Sequence, residues 1–304
     1  MTQLFTRLAQ RPWQLDFVML SAIWGASFMF TQIGSNDLGV VLTTLARVGI
    51  ASVFLLPIVV VQGQLRTLMA IWRDAFFIGA FSSALPFCAY AWALQHITTT
   101  TAAIVNAATP LFGAVVAWLW LKDALSASRI LGLAIGFMGV CALVLTKSWG
   151  SDQLASDLLG TVVCLLAPLC YGISANYSKK RMSNVPALLS AAGSQAAATI
   201  MLAPIAVFFV PDHAIEPRTW AAMATLGVLC SGVAYILFYR IIAQAGPAKA
   251  LTVTFAVPVF ALLYGLVFLG EMVSLPMLAS AGVIIVGIVL ATGLWAPLSR
   301  RPTA

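Results

Sequence analysis

Charged residues are scarce in this chain. Asp, Glu, Lys and Arg make up 8% of the 304 positions and the hydrophobic set makes up 62%, against roughly a quarter charged in soluble domains. Water therefore cannot be the principal solvent of the fold. Long polar connections are missing too: Ser35-Asn36-Asp37, Asp152 to Asp157, Pro211 to Pro217 and Gly246-Pro247 carry turn or cap chemistry, and none can hold a separate soluble domain. Catalytic signatures are absent: there is no HExxH, no GxSxG and no pair of carboxylates inside an apolar run. The five cysteines (Cys88, Cys141, Cys164, Cys170, Cys230) show no CxxC spacing and have no histidine nearby to complete a metal site, so they read as small hydrophobes. An enzyme is not expected, and no cofactor or metal is indicated. The basic surplus, +7 net, would suggest nucleic acid in a soluble protein; here topology explains it and no nucleic acid partner is expected.

Long apolar runs are what the chain does have. At 1.5 Å rise per residue, about 20 apolar residues cross a hydrocarbon core. Ten segments meet that length: 13–34, 39–62, 71–95, 98–121, 128–147, 157–178, 186–210, 218–243, 248–269 and 274–296. The first follows Arg7 and Arg11 in the manner of a signal peptide, but its length of about twenty residues marks it as a retained membrane helix. Lys and Arg concentrate on the cytoplasmic side of membrane proteins. With the N-terminus inside, Arg7, Arg11, Arg66, Arg73, Lys122, Arg129, Lys179, Lys180, Arg181, Arg240, Lys249, Arg300 and Arg301 are cytoplasmic, Lys147 and Arg218 lie opposite, and Arg47 lies within a span. Adding or removing one span puts Lys179 to Arg181 on the wrong side. Both termini are thus expected in the cytoplasm, which in a bacterium makes this an inner-membrane protein.

An internal repeat fixes the architecture. Residues 105–126, VNAATPLFGAVVAWLWLKDALS, align with 253–274, VTFAVPVFALLYGLVFLGEMVS, at an offset of 148. Asp123 faces Glu271, Gly139 faces Gly287 and, at nearly the same offset, Trp24-Gly25-Ala26-Ser27 faces Tyr171-Gly172-Ile173-Ser174. The expected halves are 1–150 and 151–304. Because five is odd, the second half starts from the opposite side of the membrane and the two are inverted. That is the construction of many secondary transporters, with binding at the midplane seam.

These features resemble the drug/metabolite transporter superfamily, specifically its EamA-like ten-helix members, over essentially the whole chain. The resemblance rests on Trp24-Gly25, on Arg47, on Tyr90 with Ala93-Leu94, and on Pro110, Asp123, Gly132, Gly136 and Gly139, repeated as Pro258, Glu271 and Gly287. The family usually has Glu where this chain has Asp123. The aromatic amino acid exporters are the subgroup to compare first. The resemblance implies an all-α membrane protein of ten helices around a central cavity. That cavity would be lined by helices 1, 3, 4, 6, 8 and 9, with 2 and 7 more peripheral and 5 and 10 at the back.

Within those helices, Ser21, Trp24, Phe28 and Thr31 recur at helical spacing, as do Ser231, Tyr235 and Tyr239. Such faces suit either a binding wall for a flat amphipathic solute or a packing stripe; Tyr239 fits either an interface or a pathway role. Asn106 and Thr109 stand beside Pro110, and Thr254 stands near Pro258. Each proline frees a carbonyl that must be satisfied inside the protein or in a wet cavity, or else simply kinks the helix. Pro168, Tyr171, Ser174 and Asn176 repeat the theme. The candidate substrate-binding residues are Trp24, Ser27, Phe28, Tyr90, Asn106, Thr109, Tyr171, Ser174, Tyr235 and Thr254. The candidate structural residues are Arg47, Pro110, Pro258, Asp123 and Glu271. Arg47 either attracts a substrate carboxylate or hydrogen-bonds carbonyls of a neighbouring helix as a structural pin, and the peripheral place of helix 2 in the family favours the pin. Asp123 and Glu271 end helices whose dipoles oppose their charge, so each needs a partner in a neighbouring loop. Gly132-x-x-x-Gly136 allows internal packing of a monomer or a weak homodimer face.

No carboxylate occupies a midspan position, so an obvious proton or sodium site is missing. The expected function is alternating-access movement of small organic metabolites, amino acids of aromatic or other amphipathic character, in the direction of export. The alternatives are an uptake carrier or a channel for a nucleotide sugar or drug-like cation. The partners are the small-molecule substrate and the lipid bilayer.

Overall fold

A computed structural model describes residues 13–122, 126–148, 154–245, 250 and 253–292. Among these, regular structure is entirely helical, as expected where no water is available to satisfy a backbone. In chain order the membrane helices are α1 (Trp13–Asp37), α2 (Gly39–Val61), α3 (Trp72–Ala93), α4 (Thr99–Trp120), α5 (Ala127–Ser148), α6 (Leu154–Arg181), α7 (Ala187–Ala206), α8 (Pro217–Ile241), α9 (Val253–Leu269) and α10 (Leu275–Thr292). A short helix, Leu65–Ala70, precedes α3. Seven of the ten are long and apolar enough to cross a membrane by themselves; α5, α9 and α10 contribute shorter apolar stretches. Large side chains such as Phe208 and Val267 point outward, 85% and 71% exposed, which in a bilayer is contact with lipid.

The two-fold relation is visible in the backbone. Helix α3 contains a wide π turn at Ala80–Ala84 and α8 contains one at Val228–Val233, starting 148 residues later. Helix α4 ends in a left-handed residue, Lys122 (φ 55°), and α9 ends in one at Gly270 (φ 64°), again 148 apart.

Close approaches recur in mirrored pairs as well. Lipid removes the hydrophobic drive between helices, so small residues that admit a neighbouring backbone decide which helices pack. A Cβ on Gly25 of α1 would stand 2.5 Å from Phe260 of α9, and one on Gly172 of α6 would stand 2.9 Å from the Gly113 nitrogen of α4. A Cβ on Gly79 of α3 would stand 2.7 Å from the Ser194 carbonyl of α7, and one on Gly227 of α8 would stand 2.5 Å from Ile50 of α2. Gly139 of α5 meets Ile284 of α10, while Gly287 of α10 meets the backbone of Gly136. Every contact crosses from one half to the other, so the halves interleave around one seam. Near its axis Ser52 of α2 hydrogen-bonds Thr199 of α7 at 3.1 Å. The Gly136 spacing serves this internal α5–α10 packing.

Candidate functional site

The seam encloses a cavity of about 470 Å³, within the range of small-molecule sites. Trp24, Ser27, Phe28, Tyr90, Asn106, Thr109, Tyr171, Ser174, Tyr235 and Thr254 all stand on its wall, together with Thr31 and Tyr239. Ser21 is buried and bonds the Phe17 carbonyl at 2.8 Å instead. Aromatic rings form two runs. Phe28 meets Tyr90 edge-on at 5.3 Å, and Tyr90 meets Tyr171 at 6.3 Å. Trp24 meets Tyr235 at 6.4 Å and Phe238 at 5.2 Å.

Several hydroxyls of the wall are tied to backbone carbonyls or to the Asn106 side chain. The Tyr90 hydroxyl donates to Asn106 Oδ1 at 2.7 Å, and the Thr109 hydroxyl donates to the Asn106 carbonyl at 2.6 Å. The second bond explains the break in α4. The helix stops at Asn106, restarts at Thr109 with Pro110 in its first turn, and the carbonyl freed by the proline takes a side-chain donor. Ser27 and Thr31 bond back to carbonyls of their own helix at 2.7 Å. The Tyr235 hydroxyl donates to the Ser82 carbonyl, at 3.0 Å, inside the wide turn of α3.

Helices α2 and α7, expected to be peripheral, also reach the wall through Arg47, Ala187 and Ser190. Arg47 is 5% exposed; its Nε donates to the Ser231 hydroxyl at 2.9 Å, and its guanidinium carbon lies 3.6 Å from the centre of the Phe87 ring. Its pairing is thus to a hydroxyl and a ring rather than to carbonyls. Ser82, Phe87, Ser190 and Phe238 are wall residues that sequence reasoning missed. The wide turn shifts the register of α3 by one residue, so Ser82 does not fall on the helical spacing of Tyr90; Phe87, three residues before Tyr90 and beyond the turn, does.

The cavity reaches the surface beside Lys179 and Ser183, both exposed. At this basic end Asp16 of α1, almost fully buried, pairs with Arg240 of α8 at 3.1 Å, and Asp74 bonds Tyr177. At the opposite end, side chains tie the helices together. Gln95 donates to the Ser35 carbonyl at 2.7 Å and Gln32 to the Leu94 carbonyl at 3.3 Å. Glu271 accepts from the nitrogens and hydroxyls of Thr99 and Thr100, at 2.7 to 3.1 Å. The carboxylate that would oppose the dipole of its own helix thereby caps the positive end of α4, where negative charge is favourable. Its counterpart Asp123 lies outside the described residues. Pro258 sits within α9. At the same end His213 bonds Asp37 at 3.1 Å; this bond and the adjacent Asp212 raise the imidazole pKa above its usual value.

Ten apolar helices in two inverted halves, meeting at an aromatic and hydroxyl-lined cavity that reaches one face, define a membrane transporter. The chain belongs to the EamA-like transporter family, whose pattern matches twice, over residues 12–145 and 158–293. Among similar proteins, the uncharacterized transporter YoaV of Bacillus subtilis is 22% identical over 284 residues, covering 91% of this chain and 96% of its own. A probable terminal-alkyne amino-acid exporter of Streptantibioticus cattleyicolor is 26% identical over 270 residues, covering 87% of each chain. A crystallised protein chain superposes with a TM-score of 0.65 at 18% identity, over 94% of this chain and 99% of its own; it supports the fold.

Proposed function

We propose that this protein is an alternating-access carrier that exports small amphipathic metabolites, amino acids with aromatic or similarly apolar side chains, across a bacterial inner membrane. The carrying observation is the position of the cavity. It lies at the seam of two inverted halves, reaches the basic end, and the opposite end is tied shut by Glu271, Gln95 and Gln32. Basic residues mark the cytoplasmic side, so this state loads from the cytoplasm with both termini on that side. Flat rings beside hydroxyls suit a solute with an apolar face and a polar end. The similarity to an amino-acid exporter points the same way. The candidate residues on the wall are its substrate contacts. Among the described wall residues there is no Asp or Glu, so a coupling-cation site is not evident and movement runs down the substrate gradient.

Counterflow of radiolabelled phenylalanine in liposomes containing the purified protein tests this. Saturable exchange that survives collapse of the proton gradient is expected. Loss of exchange on collapsing the gradient would refute gradient-driven movement, and an unsaturable conductance would refute a carrier.

A further inference from the structure

Two side-chain clusters occupy equivalent places in the inverted halves, and only one of them carries charge. Arg47 of α2 and Gln195 of α7 are 148 residues apart; so are Ser83 and Ser231, in the wide turns of α3 and α8, and so are Phe87 and Tyr235. The geometry repeats accordingly. Arg47 Nε donates to Ser231 Oγ at 2.9 Å, and Gln195 Nε2 donates to Ser83 Oγ at 2.9 Å. Gln195 is fully buried and is not on the cavity wall, whereas Arg47 is on it. The fold therefore asks for a hydrogen-bond donor at this position, and a neutral amide satisfies that need in one half. A guanidinium is more than the fold requires.

Its surplus faces the cavity. Among the described residues the bond to Ser231 is the hydrogen bond Arg47 makes, and its terminal nitrogens have no protein acceptor. Asn106 adds a second donor. Its Oδ1 is taken by Tyr90 and Thr109, which leaves its amide nitrogen without a protein partner on the same wall, 93% buried by its 7% exposure. A buried cation is costly unless an anion or acceptor meets it. The described wall offers no carboxylate to do so.

We infer that Arg47 is the receptor for a carboxylate on the transported molecule, with Asn106 as an accessory donor, so that the substrate class is monocarboxylate or zwitterion and excludes free amines. This deepens the carrier reading and rests on it only in taking the cavity as the substrate site. It also gives the substrate a fixed heading: the carboxylate lies toward α2 and α8, and the aromatic rings take the remainder.

Three probes with one aromatic skeleton separate the possibilities: 3-phenylpropionate, L-phenylalanine and phenethylamine. Binding is measured by ligand-dependent thermal shift on wild type, Arg47→Gln and Arg47→Lys. Arg47→Gln is expected to fold, because it installs the residue that the equivalent site already holds against a serine. Wild type is expected to bind both carboxylates and to prefer them over the amine. Arg47→Gln weakens the carboxylates by about tenfold or more, as loss of a charge-assisted pair implies, leaves the amine unchanged and keeps its ligand-free melting temperature near that of wild type. Arg47→Lys retains part of the preference. Equal carboxylate binding by wild type and Arg47→Gln, tighter binding of the amine by wild type, or no binding of either carboxylate by wild type each overturns the inference. Counterflow of the same probes separates the two readings. Arg47-dependent binding without flux leaves the site standing and sinks the carrier, whereas saturable flux of the amine alone does the reverse.

Discussion

Glu271 holds the two halves together at the end of the bundle away from Lys179. It belongs to the second half, yet its oxygens bond Thr99 and Thr100 of the first, through four contacts of 2.7 to 3.1 Å. Glu271→Gln keeps the size of the side chain. It removes the charge and turns one acceptor oxygen into a donor; the facing threonine hydroxyl can turn to accept from it but the backbone N–H cannot, so about one of those bonds is lost. Hydrogen bonds to a charged group contribute about 1.5–3 kcal/mol each, and an exposed helix-end charge contributes less than about 1 kcal/mol. A net loss of about 2–3 kcal/mol is reasonable, which corresponds to roughly a 30- to 150-fold shift between states in which this contact is made and broken. In an alternating-access carrier that shift favours the state open at the Glu271 end. The assay is thiol labelling from that side with an impermeant reagent, using Thr31→Cys on the cavity wall in a background where the native cysteines are replaced. A tenfold or greater rise in labelling rate is expected. An unchanged rate, together with a lower melting temperature, would show that the carboxylate caps a helix and gates nothing.

The mirrored glycine contacts predict that Gly287→Leu destabilises the protein by about 1–3 kcal/mol through overpacking against Gly136, while Gly282→Ala, with open space around it, leaves the melting temperature unchanged. Tryptophan fluorescence during heating in detergent checks both. The His213 pKa is raised, chiefly by its hydrogen bond to Asp37. Its contribution to stability is thus complete below the free imidazole value near 6.5 and is lost as pH rises through the higher folded value. Melting temperature should therefore decline slightly from about pH 6 to pH 8, and His213→Gln should remove that decline; an equal decline in the variant would rule out His213 as its source.

Ten apolar helices were legible because length and hydropathy follow from the solvent, and the 148-residue offset because the repeat keeps residue chemistry as well as hydropathy. Part of the wall was legible where a hydroxyl and a ring recurred together at helical spacing, and Trp24, Phe28, Tyr171 and Tyr235 stand on it. Ser82 escaped because a wide turn breaks that spacing, and nothing in AFSSA marks a fifth residue in the turn; Phe87 keeps the spacing to Tyr90 but reads as one more apolar residue in an apolar run. The position of Arg47 on the wall escaped for another reason: helical periodicity orients a side chain around its own axis and says little about how deep the neighbouring helices let it reach. Gln195 was hidden in plain view, since an amide in an apolar run means little until its counterpart 148 residues earlier is seen to carry a charge.

The paired wide turns at Ala80–Ala84 and Val228–Val233 place a loosened joint at the same depth in each half. A helix with an extra residue in one turn can trade that turn for a tighter one, which would re-aim the segment beyond it. If each half adopts the posture now held by its twin, the entrance closes and the exit opens with no contact type that the molecule does not already contain. Preference for one posture over the other then resides only in positions where the twins disagree in chemistry, and engineers seeking to reverse the resting orientation have in those mismatched positions a short and specific set of residues to exchange.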